Sequence, residues 1–147
     1  MKTNERLILA IDTAGSPSTV LLAQGSKIIQ EKTWSDLHTQ SEKTLPYIEQ
    51  LLEQTNSGLE DIDLIIANQG PMDQSQKPAS FTGLKVGITI ANGLSLALKI
   101  PVIGVSLKDQ KMAGVVENSD YPDQEQDFIK PIYSKEPNIT IKKDEKN

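Results

Sequence analysis

Two strand-to-turn junctions in the sequence carry residues that could bind phosphate or a metal ion. At the first, Asp12 ends an apolar run that begins at Leu7, and Thr13 and Gly15 follow it. A carboxylate in such a turn can bind a hydrated metal ion, and the amides of the turn can contact phosphate. An Asp at the end of a strand also commonly caps a turn, so both roles for Asp12 stay open.

The second junction is Gly70-Pro71, which leads to a helix start at Ser80-Phe81-Thr82-Gly83. The free amides at a helix N-terminus can hold an anion. The Gly-Lys-Ser/Thr ending of a Walker A loop is absent, so a plain connection with a capping hydroxyl is the alternative. We treat Asp12, Thr13 and Gly70 as a candidate vestigial nucleotide site.

Composition excludes several other kinds of site. The chain has 147 residues, no Cys and a single His, His38, so thiolate zinc sites and multi-histidine metal sites are excluded. The glycine-flanked nucleophile of a hydrolase is also missing, and His38 is expected at the surface or as a cap. The formal net charge of −5 argues against a free-standing nucleic-acid binder. We assign no catalytic residue and no metal ligand.

The hydrophobic pattern predicts the elements that position these junctions. Apolar runs and alternating segments predict five strands, at residues 7–11, 18–23, 27–34, 62–67 and 102–105. Two helices are predicted, one ending at about residue 55 and one at about residues 80–99. Pro46 either occupies the first turn of the first helix or, if that helix begins near Thr39, kinks it. Residues 84–105 approach the length of a membrane span, but Lys85, Asn92 and Lys99 interrupt them, which favours a buried helix followed by a strand. We therefore predict an α/β fold with a mixed five-stranded sheet and two main helices.

The character of the sequence changes after about Met112. Residues 117–127 are acidic and rich in turn formers, and residues 142–147 are polar. Residues 129–133 and 139–141 are expected to add short edge strands or to dock as a tail. We predict one lobe over residues 1–112 and an acidic linker with a C-terminal tail over residues 113–147.

The second predicted helix is apolar on two faces and therefore needs two neighbours. One face can cover the sheet, and the other meets the first helix and, in one interpretation, a second chain. Gly83, Gly87 and the small Ala91 would let another backbone approach closely. That the first helix alone covers the second face is the alternative. The residues assigned to a partner interface are Leu45, Ile48, Leu52, Gly83, Gly87, Ile88, Ala91 and Leu94.

Four segments together carry a resemblance to a known family. They are residues 7–13, residues 38–46, Gly70-Pro71 with residues 80–87, and residues 100–106. Together they resemble the TsaB family, also called YeaZ, over roughly residues 6–107. The Ser-Phe-Thr-Gly-Leu-Lys segment at residues 80–85 is specific to that pattern.

The resemblance implies a ribonuclease-H-like fold of the actin-like ATPase superfamily and a non-catalytic, cytoplasmic subunit. Such a subunit supports the catalytic paralogue TsaD, which it contacts through its two helices in a helical bundle. The complex completes threonylcarbamoyladenosine next to the anticodon of tRNA. The resemblance also implies TsaE in a larger complex, tRNA contact only through that complex, and no membrane. No cofactor is expected on this chain alone, and binding of ATP or Mg²⁺ at a complex interface is left open. Whether the chain forms a homodimer or stays monomeric when TsaD is absent is also left open, since an exposed apolar helix pair allows a homodimer.

The sequence departs from the family pattern at two places. Residues 72–79 stand where the family motif Gly-Pro-Gly-Ser-Phe-Thr-Gly has one glycine, so a compact anion-holding turn is not expected. Residues 107–127 bridge the position of a second lobe, so the cleft between lobes is missing. We therefore predict a shortened family member that acts as a scaffold. The alternative is a nucleotide-binding or weak ATPase subunit that uses the Asp12-Thr13 turn.

Overall fold

The computed structural model describes residues 5–15, 17–36, 39–71, 81–107 and 110–132. Over these ranges it contains five strands, three α-helices and one short 3₁₀ turn at Leu59–Asp61. The strands are β1 (Leu7–Asp12), β2 (Ser18–Gln24), β3 (Lys27–Trp34), β4 (Leu64–Asn68) and β5 (Val102–Val105). The helices are α1 (Gln40–Gln54), α2 (Phe81–Leu98) and α3 (Met112–Glu117). The predicted α/β class is confirmed, and α3 is an element that the pattern did not predict.

The five strands form one mixed sheet in the order β3-β2-β1-β4-β5. β2 is antiparallel to both of its neighbours, β1 and β3, whereas β4 is parallel to β1 and β5 is parallel to β4. β1 and β4 are apolar up to their last residues, Asp12 and Asn68, because both of their faces are covered, while β3 lies at an edge and alternates in exposure. This topology places the carboxyl ends of β1, β4 and β5 at the same edge of the sheet.

Helices α1 and α2 cover one face of the sheet. Their buried apolar side chains pack with those of the strands in one cluster, which includes Leu9, Ile11, Val20, Leu22, Ile65, Ile48, Leu51, Leu84, Ile88 and Ala91. By length and composition α2 could cross a membrane, since its 18 residues have a mean hydropathy of 1.3. Its inner side is nevertheless buried against the sheet, and β5 follows it. The predicted arrangement of a core helix followed by a strand is confirmed.

The short helix α3 covers the opposite face of the sheet. Met112, Val115 and Val116 are buried there against residues of the central strands such as Ile8 and Ile66. The predicted boundary between residues 112 and 113 therefore falls inside α3, whose residues belong to the packed lobe. A helix of 6 residues is too short for its apolar spacing to stand out from the acidic sequence around it.

Residues 121–132, here called the return segment, run back across the lobe after α3. Gln126 exchanges two backbone hydrogen bonds with Val102 at 3.0 and 2.9 Å, which pairs the segment with the outer edge of β5. Ile129 is buried in the cluster under α2, and the Asn92 side chain both donates to its carbonyl and accepts from its amide. The expectation that this region docks on the lobe is confirmed for residues 129–132.

Candidate functional site

A polar network lies where the carboxyl ends of β1, β4 and β5 meet. The Asn68 side chain donates to Asp12 Oδ1 at 3.0 Å and accepts from the Gly70 amide at 2.9 Å. The Ser106 hydroxyl donates to the Gly70 carbonyl. We call Asp12, Asn68, Gly70 and Ser106 the strand-end network. Gly70 has a φ of 88°, in the left-handed region that favours glycine.

The Asp12 carboxyl accepts hydrogen bonds from two groups of this chain, the Asn68 side chain and the Ala14 amide. Burial raises its pKa, and the hydrogen bonds from Asn68 and from the Ala14 amide, at 3.0 and 3.2 Å, oppose that shift. Within the described ranges, no group of three or more His, Cys, Asp or Glu side chains is placed to hold a metal ion. The carboxyl therefore acts first as an acceptor that fixes the turn after β1.

The structure brings only part of the candidate nucleotide site together. Asp12 and Gly70 belong to the same network, but Thr13 points away from it and is 1% exposed. Its hydroxyl donates to the carbonyl of Gly83 in the first turn of α2. Sequence reasoning missed Asn68 and Ser106. Their signal was a polar residue directly after a predicted strand, at residues 62–67 and 102–105, because strand ends of an α/β sheet converge where ligands bind.

The same threonine explains the glycine at position 87. A Cβ atom built on Gly87 would lie 2.5 Å from Thr13 Oγ1 and 3.3 Å from Ile11 Cγ2. Only a glycine lets α2 approach β1 this closely, because any side chain would overlap the buried hydroxyl. The close approach that the sequence predicted at Gly83 and Gly87 therefore occurs within this chain, between α2 and the sheet.

The predicted interface residues lie mostly inside the lobe. Six of the eight are buried, and they are Ile48, Leu52, Gly83, Gly87, Ile88 and Ala91. Leu94 is half-buried and packs against the same cluster, whereas Leu45 is 46% exposed. The six cannot meet a partner unless the core opens, so the surface assignment is corrected for them. The prediction selected the sheet-facing side of α2, because periodicity shows that a helix has two apolar faces but not which one points inward.

The outward side of the helix pair carries a different set of residues. They line a groove of about 420 Å³ between α1 and α2, and they are Ser41, Leu45, Phe81, Thr82, Lys85, Val86, Thr89 and Ile90. We call it the α1–α2 groove. Leu45 is the exposed large apolar side chain on the α1 wall, and Lys85 Nζ lies 5.2 Å from the centroid of the Phe81 ring. Only Leu45 of the predicted interface residues lines this groove.

Three sequence predictions fall outside the described residues. His38, the insertion at residues 72–79 and the segment at residues 139–141 all lie there. The strand-end network and the α1–α2 groove are thus the two candidate sites that the structure describes.

The family model and the curated relatives that match this chain carry the names of one pathway. A sequence model of the family described as "TsaD: tRNA N6-adenosine threonylcarbamoyltransferase" matches residues 28–128. The tRNA threonylcarbamoyladenosine biosynthesis protein TsaB of Escherichia coli K12 is 37% identical over 100 residues, which cover 67% of this chain and 39% of that protein. The TsaB protein of Bacillus subtilis 168 is 29% identical over 99 residues, covering 67% of this chain and 40% of that protein.

A solved structure shows the same fold. YeaZ from Pseudomonas aeruginosa superposes with a TM-score of 0.60 at 27% identity, over 69% of this chain and 44% of that chain. The chain therefore spans about two fifths of the length of the curated relatives it matches.

Proposed function

Because this chain belongs to the TsaB (YeaZ) family, we propose that it is a non-catalytic partner subunit of a TsaD-type tRNA N6-adenosine threonylcarbamoyltransferase in the cytoplasm. The names of the relatives place those proteins in threonylcarbamoyladenosine biosynthesis, and the matching family model is named for the transferase. In the proposed complex the transferase carries the chemistry, tRNA contacts this chain only through the complex, and TsaE joins the larger assembly. The observation that carries the proposal is the α1–α2 groove.

The groove offers apolar surface on a rigid support. Leu45 stands on one wall, and Val86 and Ile90 stand on the other, while the inner sides of both helices are fixed by the core. Surface apolar side chains grouped in a concave site gain free energy when a partner excludes water from them. A pair of helices already anchored on a sheet loses little conformational freedom on binding, which favours a docking role.

The strand-end network supports a scaffold more than a nucleotide-processing subunit. Asp12 and Asn68 are bonded to each other, and the Gly70 carbonyl accepts from Ser106. The ATPase alternative also relies on Thr13, but the Thr13 hydroxyl donates to the Gly83 carbonyl. A phosphate or hydrated metal ion would have to displace bonds that already satisfy these groups. The alternative is therefore not favoured.

The test is complex formation with the TsaD protein of the same organism. In size-exclusion chromatography and calorimetry we expect the two chains to form a heterodimer, and Val86→Asp to weaken it by about 30-fold or more, as for a central interface residue. Leu96→Asp is the matched control, because Leu96 lies on α2 outside the groove and is 80% exposed. The proposal fails if the unmodified chains do not associate, or if the two variants bind equally well.

A further inference from the structure

Lys85 stands out within the α1–α2 groove because it alone of the eight described lining residues is charged. We infer that the groove takes an apolar helix of the transferase that presents a carboxylate to Lys85, and that this lysine selects the partner. The inference rests on the proposed function, since it concerns the same surface.

The spacing of the lining residues fits a helix as the occupant. On α2 they come as three pairs, and each pair follows the previous one by four residues: Phe81 with Thr82, Lys85 with Val86, and Thr89 with Ile90. On α1 the lining residues Ser41 and Leu45 are also four apart. Residues at that spacing form ridges along a helix, and two such ridges leave an elongated channel about 13 Å long on α2. A third helix with apolar anchors at spacings of three and four fits this shape.

The charge of the groove specifies what that helix must carry. Lys85 Nζ lies over the Phe81 ring at 5.2 Å from its centroid, so the ammonium is held at the apolar wall. A helix that fills the channel removes water from this ammonium, and a carboxylate opposite it compensates while a cation opposite it repels. If a second copy of this chain docked groove to groove, the Lys85 ammonium groups of the two copies would face each other and repel. The charge thus favours an acidic foreign helix over self-association.

The inference is tested by calorimetric titration of the full chain with the transferase at two salt concentrations. We expect Lys85→Gln to weaken binding by about threefold and Lys85→Glu by about tenfold or more, as for a charge at an interface. We also expect the salt dependence of the affinity to flatten in Lys85→Gln. Lys111→Gln is the matched control, because Lys111 is exposed and precedes α3 on the other face of the sheet.

The outcomes separate this inference from the proposed function. In one outcome the unmodified chains bind each other, Val86→Asp disrupts the complex, and Lys85→Glu binds the transferase as tightly as the unmodified chain does. That outcome refutes the selective role of Lys85 and leaves the docking surface in place. If the chain alone forms a dimer that Lys85→Glu strengthens or leaves intact, with no binding of the transferase, the foreign helix is refuted. The inference is supported if replacing an acidic residue of the transferase by a basic one restores the affinity of the transferase for the Lys85→Glu variant.

Discussion

Gly87→Ala offers a sharp test of how α2 packs on the sheet. The added methyl carbon would lie 2.5 Å from Thr13 Oγ1, whereas ordinary van der Waals contacts of a Cβ atom lie between 3.4 and 4 Å. Helix and strand would have to separate by about 1 Å, or Thr13 would have to leave its bond to the Gly83 carbonyl. Both responses disturb a buried site, since Thr13 is 1% exposed.

The magnitude follows from two opposed effects. Overpacking a core costs about 1–3 kcal/mol, and the fixed hydroxyl of Thr13 favours the upper end. Replacing a helical glycine by alanine stabilises the helix by about 1 kcal/mol, because alanine has the higher helix propensity. We therefore expect Gly87→Ala to lower the free energy of unfolding by about 2 kcal/mol. Gly93→Ala is the control on the same helix, because a Cβ atom there meets nothing within 4 Å and should stabilise the protein.

Urea denaturation monitored by circular dichroism measures both variants. A double-mutant cycle with Thr13→Ala isolates the overlap, because removing the hydroxyl makes room for the new methyl group. We expect the double variant to be more stable than the sum of the two single changes predicts, by about 1 kcal/mol or more. Equal gains in stability from Gly87→Ala and Gly93→Ala would refute the packing account.

Two further predictions concern the strand-end network and the return segment. Burial raises the pKa of Asp12, so the folded state holds the proton at higher pH than the unfolded chain does, and stability falls as the pH rises from the ordinary carboxyl pKa through the raised one. Asp12→Asn should therefore stabilise the protein near neutral pH, but not at a pH below the ordinary carboxyl pKa. Urea denaturation measures the free energy of unfolding at the two pH values. The same difference between variant and unmodified protein at both would contradict this prediction. Asn92→Ala removes both hydrogen bonds to Ile129 and should destabilise the lobe by about 2 kcal/mol, with faster proteolysis within the return segment. Unchanged proteolysis would show that this pair does not anchor the segment.

Much of the fold could be predicted because its signals are local. The apolar run that begins at Leu7 and the alternating pattern before Trp34 predict strands whatever surrounds them. The apolar spacing of α1 and α2 likewise predicts helices. The segment at residues 80–85 carried the resemblance that the relatives confirm. These features depend only on neighbours along the chain.

The candidate sites were less predictable because they depend on contacts between distant residues. Asp12 and Asn68 are 56 residues apart and meet only because β4 lies parallel to β1. The burial of Val115 depends on an uncovered sheet face that no local pattern reports. Propensity and spacing carry no information about such pairings.

The sequence by itself determined that the second long helix has two apolar sides and that the chain belongs with TsaB proteins. Only the tertiary structure decided which side faces the sheet. Gly87 lies against Ile11 and Thr13, where a Cβ atom would be 2.5 Å from the buried Thr13 hydroxyl oxygen. With this side of α2 against the sheet, Ile88 and Ala91 lie in the core, and Lys85 and Val86 line the groove.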